Sequence, residues 1–288
     1  MGRVEITKLS MTYDVIRSEE RSILESAKKK GIEINPIECK RRFFDLDKRL
    51  DKEFGDIILQ RCVSYYRNLH LTGLFEMKGA KVINGLEDSF ICGNKLFTAL
   101  TLKAGGVKTP KGVFSSNMEG ALKSLEKIGY PSILKPTVGS WGKLMALLKD
   151  KNTAEEFIEH RENMHPSYHQ YYIEEKVKRP PRDIRSFVIG DKVIAAIYRE
   201  AATGVWRTNT ARGGKASNCP ITKELEDISL KAVSTIGEGI YGVDCMETEE
   251  GLIVHEINST TEFRNSVPVT GIDIPGLIVD YLVKLSKE

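Results

Sequence analysis

Gly242-Val243-Asp244 and, twelve residues beyond the aspartate, His255-Glu256-Ile257-Asn258 are the stretches on which the reading of this chain turns. Both have strand character, and Glu249-Glu250-Gly251 between them supplies a turn. A hairpin centred on Glu250 sets Asp244 directly across from Glu256. Asn258 then shares the face of Glu256, because strand side chains repeat every second residue, and His255 is expected to point away from it. Three oxygen donors on one patch suit a hard cation, most often Mg²⁺ shared with substrate phosphates. Acidic residues on a hairpin are by themselves more often a solvated face; the sequence upstream overturns that.

The strand Ser132-Ile133-Leu134-Lys135 runs into Pro136-Thr137-Val138-Gly139-Ser140-Trp141-Gly142-Lys143. Two glycines around a hydroxyl let backbone N–H groups approach anionic oxygens. No Gly-Lys-Ser/Thr opens a helix, so this is not a P-loop; the loop joins two strands. Lys135 is flanked by apolar residues, and a buried ammonium requires an anion. Lys95 opens a helix, where the dipole makes a cation unfavourable unless an anion such as phosphate is near. Tyr172-Ile173-Glu174-Glu175-Lys176-Val177 is a strand running into a loop, with backbone for an adenine edge and acidic groups for ribose hydroxyls. Arg185, Arg199, Arg207 and Arg212 recur further on, with Asn209 among them in the polar loop Trp206–Gly214. Guanidinium groups suit bidentate contact with phosphate or carboxylate. This loop and 139–143 are the expected lids over the site.

Residues 1–90 alternate strand and helix, with strands near 4–12, 32–38, 56–60 and 81–83 and helices from Ser18 (as N-cap) to Lys30 and over 65–78. That alternation predicts a parallel sheet. A second unit, 91–180, carries helices at 93–104, 117–128 and 153–161 with strands at 112–114, 132–136, 144–149 and 170–175. A third, 181–288, carries a mixed sheet (185–190, 192–199, 240–247, 252–258) and helices near 222–238 and 274–286. The class is α/β (α+β). Net charge of +3 is too weak for a nucleic-acid binder. No run approaches the roughly eighteen apolar residues of a membrane span, and no apolar signal segment opens the chain, so a cytoplasmic protein is expected. Five scattered cysteines without a CxxC read as reduced core residues. Lys28-Lys29-Lys30 before Gly31 reads as a helix C-terminus, although a basic surface for an acidic macromolecule remains the alternative.

Together Lys95, Lys135, the loop Gly139–Lys143, the strand Glu174–Val177 and Asp244…Glu256-x-Asn258 resemble the ATP-grasp superfamily over the whole chain. Arg182-Asp183-Ile184-Arg185 and Asn209–Gly214 resemble its RimK-type ligases. Arg61-Cys62-Val63-Ser64, the loop 139–143 and Glu262-Phe263-Arg264-Asn265-Ser266 are similar to the LysX group. That resemblance implies an ATP-grasp fold, with a pre-ATP-grasp domain at 1–90, a central subdomain at 91–180 and a C-terminal subdomain at 181–288. It also implies ATP-dependent ligation of the α-amino group of α-aminoadipate to the C-terminal glutamate of the acidic carrier protein LysW, in lysine biosynthesis.

The roles it implies are these. Lys95, Lys135, Gly139, Ser140, Trp141, Gly142 and Lys143 hold phosphates; Glu174, Glu175, Lys176 and Val177 hold adenine; Asp183 holds ribose. Arg199 and Asn209 contact phosphates, and Arg207 or Arg212 stabilises the reacting carbonyl. Asp244, Glu256 and Asn258 bind Mg²⁺, two ions, with Mn²⁺ as a substitute. Arg61, Ser64 and Arg185 approach the amino acid, and Asn265-Ser266 marks aminoadipate rather than the glutamate of the ArgX type. A homodimer or homotetramer is expected, with no nucleic acid and no membrane. The alternative is a RimK-type ligase adding glutamate to a carrier, a cofactor or a protein tail. A non-catalytic nucleotide-binding module has no need of three oxygen ligands.

Overall fold

A computed structural model describes residues 8–201 and 215–288. Arg207, Asn209 and Arg212, the loop that carries them, and the start of the first expected strand lie outside the described residues. Leu9–Tyr13 (β1), Ile34–Glu38 (β2), Ile57–Gln60 (β3) and Lys81–Ile83 (β4) form a parallel sheet in the order β2-β1-β3-β4. Helices Ser18–Lys29 (α1) and Tyr65–Met77 (α2) cross over between strands. The N-cap of α1 is Arg17, one residue earlier than expected. Glu20 reaches back to the Arg17 backbone N–H (2.9 Å), so the acid three residues in fixes the start. Lys28 and Lys29 occupy the last turn, and Gly31 follows at φ 69°.

The helix expected over 93–104 begins two residues later, and a separate helix that was not anticipated precedes it. Leu86–Gly93 (α3) and Lys95–Ala104 (α4) are separated by extended Asn94, whose Oδ1 accepts from the N–H groups of Leu96 and Phe97. This cap puts Lys95 at the first position of α4. Cys92 and Leu102 pack against the third sheet, so α4 rides on the unit that carries the hairpin.

The central sheet, Gly112–Ser115 (β5), Ser132–Lys135 (β6), Ala146–Leu148 (β7) and Tyr171–Glu175 (β8), is antiparallel in the order β5-β8-β6-β7. Helices Met118–Ile128 (α5) and Lys151–Glu162 (α6) bury Leu125 and Ile158 against its Leu134 and Ile173. The third sheet is Arg182–Ile189 (β9), Lys192–Glu200 (β10), Lys215–Asn218 (β11), Ile240–Thr248 (β12) and Gly251–Asn258 (β13). Its order is β11-β10-β9-β12-β13, and every pair is antiparallel rather than mixed. The helix Lys223–Ser234 (α7) returns the chain so that β12 opposes β9, and tight turns close β9–β10 and β12–β13. A short helix, Val267–Thr270 (α8), and Ile274–Leu285 (α9) follow.

Two-residue alternation divides this sheet by face. Ile184, Val188, Val243, Cys245, Val254 and Ile257 pack against α7. The other face carries Phe187, Ile189, Ile197 and Ile240 at one end, in a core shared with α1, α9 and β1. At its other end the same face carries Asp183, Arg185, Arg199 and Asp244. Asn84 fastens the N-terminal unit to this sheet by exchanging two hydrogen bonds with Ile240, of 2.8 and 2.9 Å. All five cysteines are buried and unpaired, as expected of core residues. Among the described residues no helix is long and apolar enough to cross a membrane.

Candidate active site

The polar end of that face opens onto a cleft of about 470 Å³, walled also by the central sheet and the N-terminal unit. Lys135 reaches it from β6 but is only 4% exposed. Its ammonium is ion-paired with Glu174 on the adjacent strand β8, and the Tyr172 hydroxyl donates to the second Glu174 oxygen at 2.6 Å. The anion that a buried ammonium requires is therefore supplied by the chain itself, whatever else the lysine meets. Lys95 donates to the Gly139 carbonyl (2.7 Å) and to Glu256 Oε1 (3.1 Å), tying the glycine-rich loop to the hairpin.

Ser140, Trp141 and Gly142 line the cleft, whereas Gly139 and Lys143 stand off its wall. Trp141 and Gly142 both have left-handed backbone (φ 56° and 63°), which turns successive N–H groups to one side. The Lys143 ammonium instead lies 5.3 Å from the Trp141 ring centroid, a cation–π contact. Glu174, Glu175, Lys176 and Val177 follow one another along the wall, with Ile133 and Met246 as apolar neighbours.

Asp244 is held by a pair of arginines. Arg185 grips it with two bonds of 2.7 Å, and Arg199 adds a third contact at 3.0 Å while binding Asp183 at 2.6 Å. Burial alone would raise the Asp244 carboxyl, but Arg185 and Arg199 hold it well below the usual carboxylate range. Burial also works against ionised Glu256, but the positive charges around it, Lys95 first and then His255 and Lys135, together lower this carboxyl too. Arg199, expected to meet phosphate, is 7% exposed and spent on Asp183 and Asp244. Asn258 Nδ2 lies 3.4 Å from Asp244 Oδ2. Among the described residues no group of three or more His, Cys, Asp and Glu is placed to hold an ion. The two carboxylates and the amide are therefore the candidate donors. As a hard-oxygen set they fit Mg²⁺, with the amide turned to present its oxygen.

Asp244 does pair with Glu256, but not by the simple hairpin anticipated. The turn is the two residues Glu249 and Glu250, with Thr248 opposite Gly251. That register pairs Cys245 with Val254, and one extra residue, His255, restores Asp244 to Glu256. Because of this bulge His255 does not point away. It lines the cleft beside Glu256, its Nε2 buried without a partner among the described residues. Burial, then the nearby Lys135 charge, lowers the pKa of the imidazole.

The far end of the cleft belongs to residues that sequence reasoning approached but missed: Arg17, Val63, Thr260, Thr261 and Glu262. Arg61, expected to approach the amino acid, is 2% exposed; it binds Glu20 (3.0 Å) and the Thr261 carbonyl (3.1 Å). Its neighbour Val63 lines the cleft instead. Ser64 precedes α2 as its N-cap residue and gives its backbone N–H to Asp14. Asn265 is exposed outside the wall and Ser266 is buried at the start of α8, so neither reaches the cleft directly. The available signal was Glu262, three residues upstream in the same stretch. Gly242 lets that loop close: a Cβ there would lie 2.3 Å from Thr261 Oγ1.

The model of the RimK-like ATP-grasp domain matches residues 92–282, and that of the LysX preATP-grasp domain matches 9–89. The chain belongs to the RimK-like ATP-grasp family, and is an ATP-dependent ligase that forms amide bonds. It is 34% identical to an α-aminoadipate–LysW ligase LysX of Sulfurisphaera tokodaii, covering 97% of this chain and 98% of that one. It is 31% identical to a glutamate–LysW ligase ArgX of Sulfolobus acidocaldarius, over 96% and 98%. A RimK domain ATP-grasp protein of Sphaerobacter thermophilus shares the fold at a TM-score of 0.79, with 20% identity over 95% of this chain and 98% of that one.

Proposed function

We propose that this ligase joins the α-amino group of α-aminoadipate to the C-terminal glutamate of a LysW-type carrier in lysine biosynthesis, through an acyl phosphate. The observation that carries the reading is one cleft lined by two lysines, a hard-oxygen donor set and a partly buried ion pair, Arg17 with Glu262. The near full-length likeness to LysX supports the carrier and the amino acid.

Lys95, Lys135 and the backbone of residues 140–142 hold the phosphates; Glu174–Val177 hold adenine and Asp183 the ribose. Asp244, Glu256 and Asn258 would hold Mg²⁺, one ion or two; bound there, it neutralises charge on the transferred phosphoryl group. The carrier carboxylate takes the γ-phosphoryl group of ATP. The amine then attacks the mixed anhydride, displacing phosphate. Positioning and charge neutralisation suffice for both steps, so no Ser, Cys or His nucleophile is required. Arg207, Asn209 and Arg212 remain assigned to the reacting phosphate and carbonyl. Asn265 and Ser266 act on specificity only through the loop that they extend. The enzyme works in the cytoplasm as a homodimer or homotetramer.

The test is phosphate release from Mg·ATP with a LysW-type carrier, with aminoadipate and glutamate compared and the carrier weighed by mass spectrometry. A mass gain with aminoadipate alone is expected. Gain with glutamate as well replaces the reading with dual specificity, and no gain with either removes the carrier assignment.

A further inference from the structure

The cleft is lined by polar groups at its far end that ATP and metal leave unused. Along the chain, Glu256 and Asn258 are followed by Thr260, Thr261 and Glu262, all on the same wall, so Glu262 stands just beyond the donor set. Arg17 faces it, with Nη1 3.1 Å from Glu262 Oε1. Glu20, fully buried, takes Arg17 Nε at 3.0 Å and Nη2 at 2.8 Å, which fixes the plane of the guanidinium. One N–H of Nη1 and the Glu262 Oε2 atom are left without partners among the described residues. The Arg17 side chain is 18% exposed and that of Glu262 35%, so both are open to the cleft. The Thr261 hydroxyl, also on this wall, is buried without a partner among the described residues.

A cation donor and a carboxylate acceptor in direct contact match a ligand whose ammonium and carboxylate sit on one carbon. We infer that Arg17 and Glu262 form the subsite for the zwitterionic head of the attacking amino acid, Arg17 taking the α-carboxylate and Glu262 the α-ammonium. This rests on the amino-acid ligase reading. A distal carboxylate is separated from the ammonium by the side-chain methylenes and cannot span two groups already touching. Arg61 is then a positioning residue: through the Thr261 carbonyl and Glu20 it sets Glu262 and Arg17 in one frame, while Glu19 adds a bond to the Arg264 N–H (3.1 Å). The subsite is built from two units of the chain and closes only when they are docked.

The experiment compares wild type, Glu262→Gln and Arg17→Gln in the carrier-dependent assay, using aminoadipate, glutamate and their α-carboxamides. Glu262→Gln is close to isosteric at a half-exposed position, which protects the fold; circular dichroism checks Arg17→Gln. For both variants the amino-acid KM should rise at least tenfold, with the ATP KM within twofold. The α-carboxamides should serve wild type and Arg17→Gln equally poorly, because the group that Arg17 reads is gone. An unchanged amino-acid KM in Glu262→Gln, or a carboxamide still used better by wild type than by Arg17→Gln, overturns the subsite alone. A wild-type protein that loads no amino acid on the carrier overturns the ligase reading and the subsite with it.

Discussion

Replacing Glu20 with Gln measures how strongly the N-terminal unit is tied to the cleft. Burial by itself would raise the Glu20 carboxyl; hydrogen bonds from Arg17 and the charges of Arg61 and Arg17 take it from 4.5 down to about 2. At about 1.4 kcal/mol per tenfold change, that fall is worth about 3 kcal/mol of folding free energy at neutral pH. The ionised form is the one stabilised. The contribution is therefore complete above the unfolded value of 4.5 and is lost as pH falls through about 2. Linkage places about half of it already lost at pH 3. Urea denaturation of wild type and Glu20→Gln at pH 7 and pH 3 should give a gap of about 3 kcal/mol that narrows to about 1.5. A gap below about 1 kcal/mol at pH 7, or one equal at both pH values, refutes the argument that two guanidiniums hold this carboxylate.

Three further outcomes are expected. Glu256→Gln should lower ATP-dependent phosphate release by about 100-fold or more while leaving the melting temperature within a few degrees, since it removes an oxyanion donor but keeps its shape; a folded, fully active variant rules out the metal set. Lys135→Met strands buried Glu174, at a cost of about 3–5 kcal/mol, and adding Glu174→Gln should recover part of it; denaturation midpoints of the two variants decide. Arg185→Gln frees one side of Asp244, so Mn²⁺ binding to the nucleotide-free protein, followed by electron paramagnetic resonance, should tighten several-fold. Weaker binding would mean that Arg185 shapes the donor set instead of competing with the ion.

Much of the cleft was legible because its residues carry signals that do not depend on distant packing. The loop 139–143 announces itself by two glycines, and Asp244 with Glu256 and Asn258 by strand alternation. Legibility ended where the partner of a side chain comes from another unit. Arg61 looks like a substrate residue until Glu20, forty-one positions upstream, is found beside it. Lys135 looked in need of a ligand because strand pairing with Glu174 is not written locally. Arg17 lay hidden as an ordinary basic residue ahead of a helix. The antiparallel third sheet needed knowledge of where α7 returns the chain. The start of α4 was local, in the capping oxygen of Asn94, which the helix expected from residue 93 overran by two residues, and α3 was not anticipated.

The extra residue in β13 works as a phase shifter. Core positions run Leu252, Val254 and then Ile257, changing from even to odd at His255. Ahead of that step the strand is in phase with the turn; after it, with the cleft. The two halves of the hairpin are thereby uncoupled, and changes near Glu249 that respect pairing leave the donor set in place. Deleting His255 would leave Val254, Glu256 and Ile257 in plain alternation, with Glu256 still opposite Asp244 and Ile257 still opposite Val243. The bulge thus adds one residue, His255, to the wall of the cleft without being what keeps Glu256 across from Asp244.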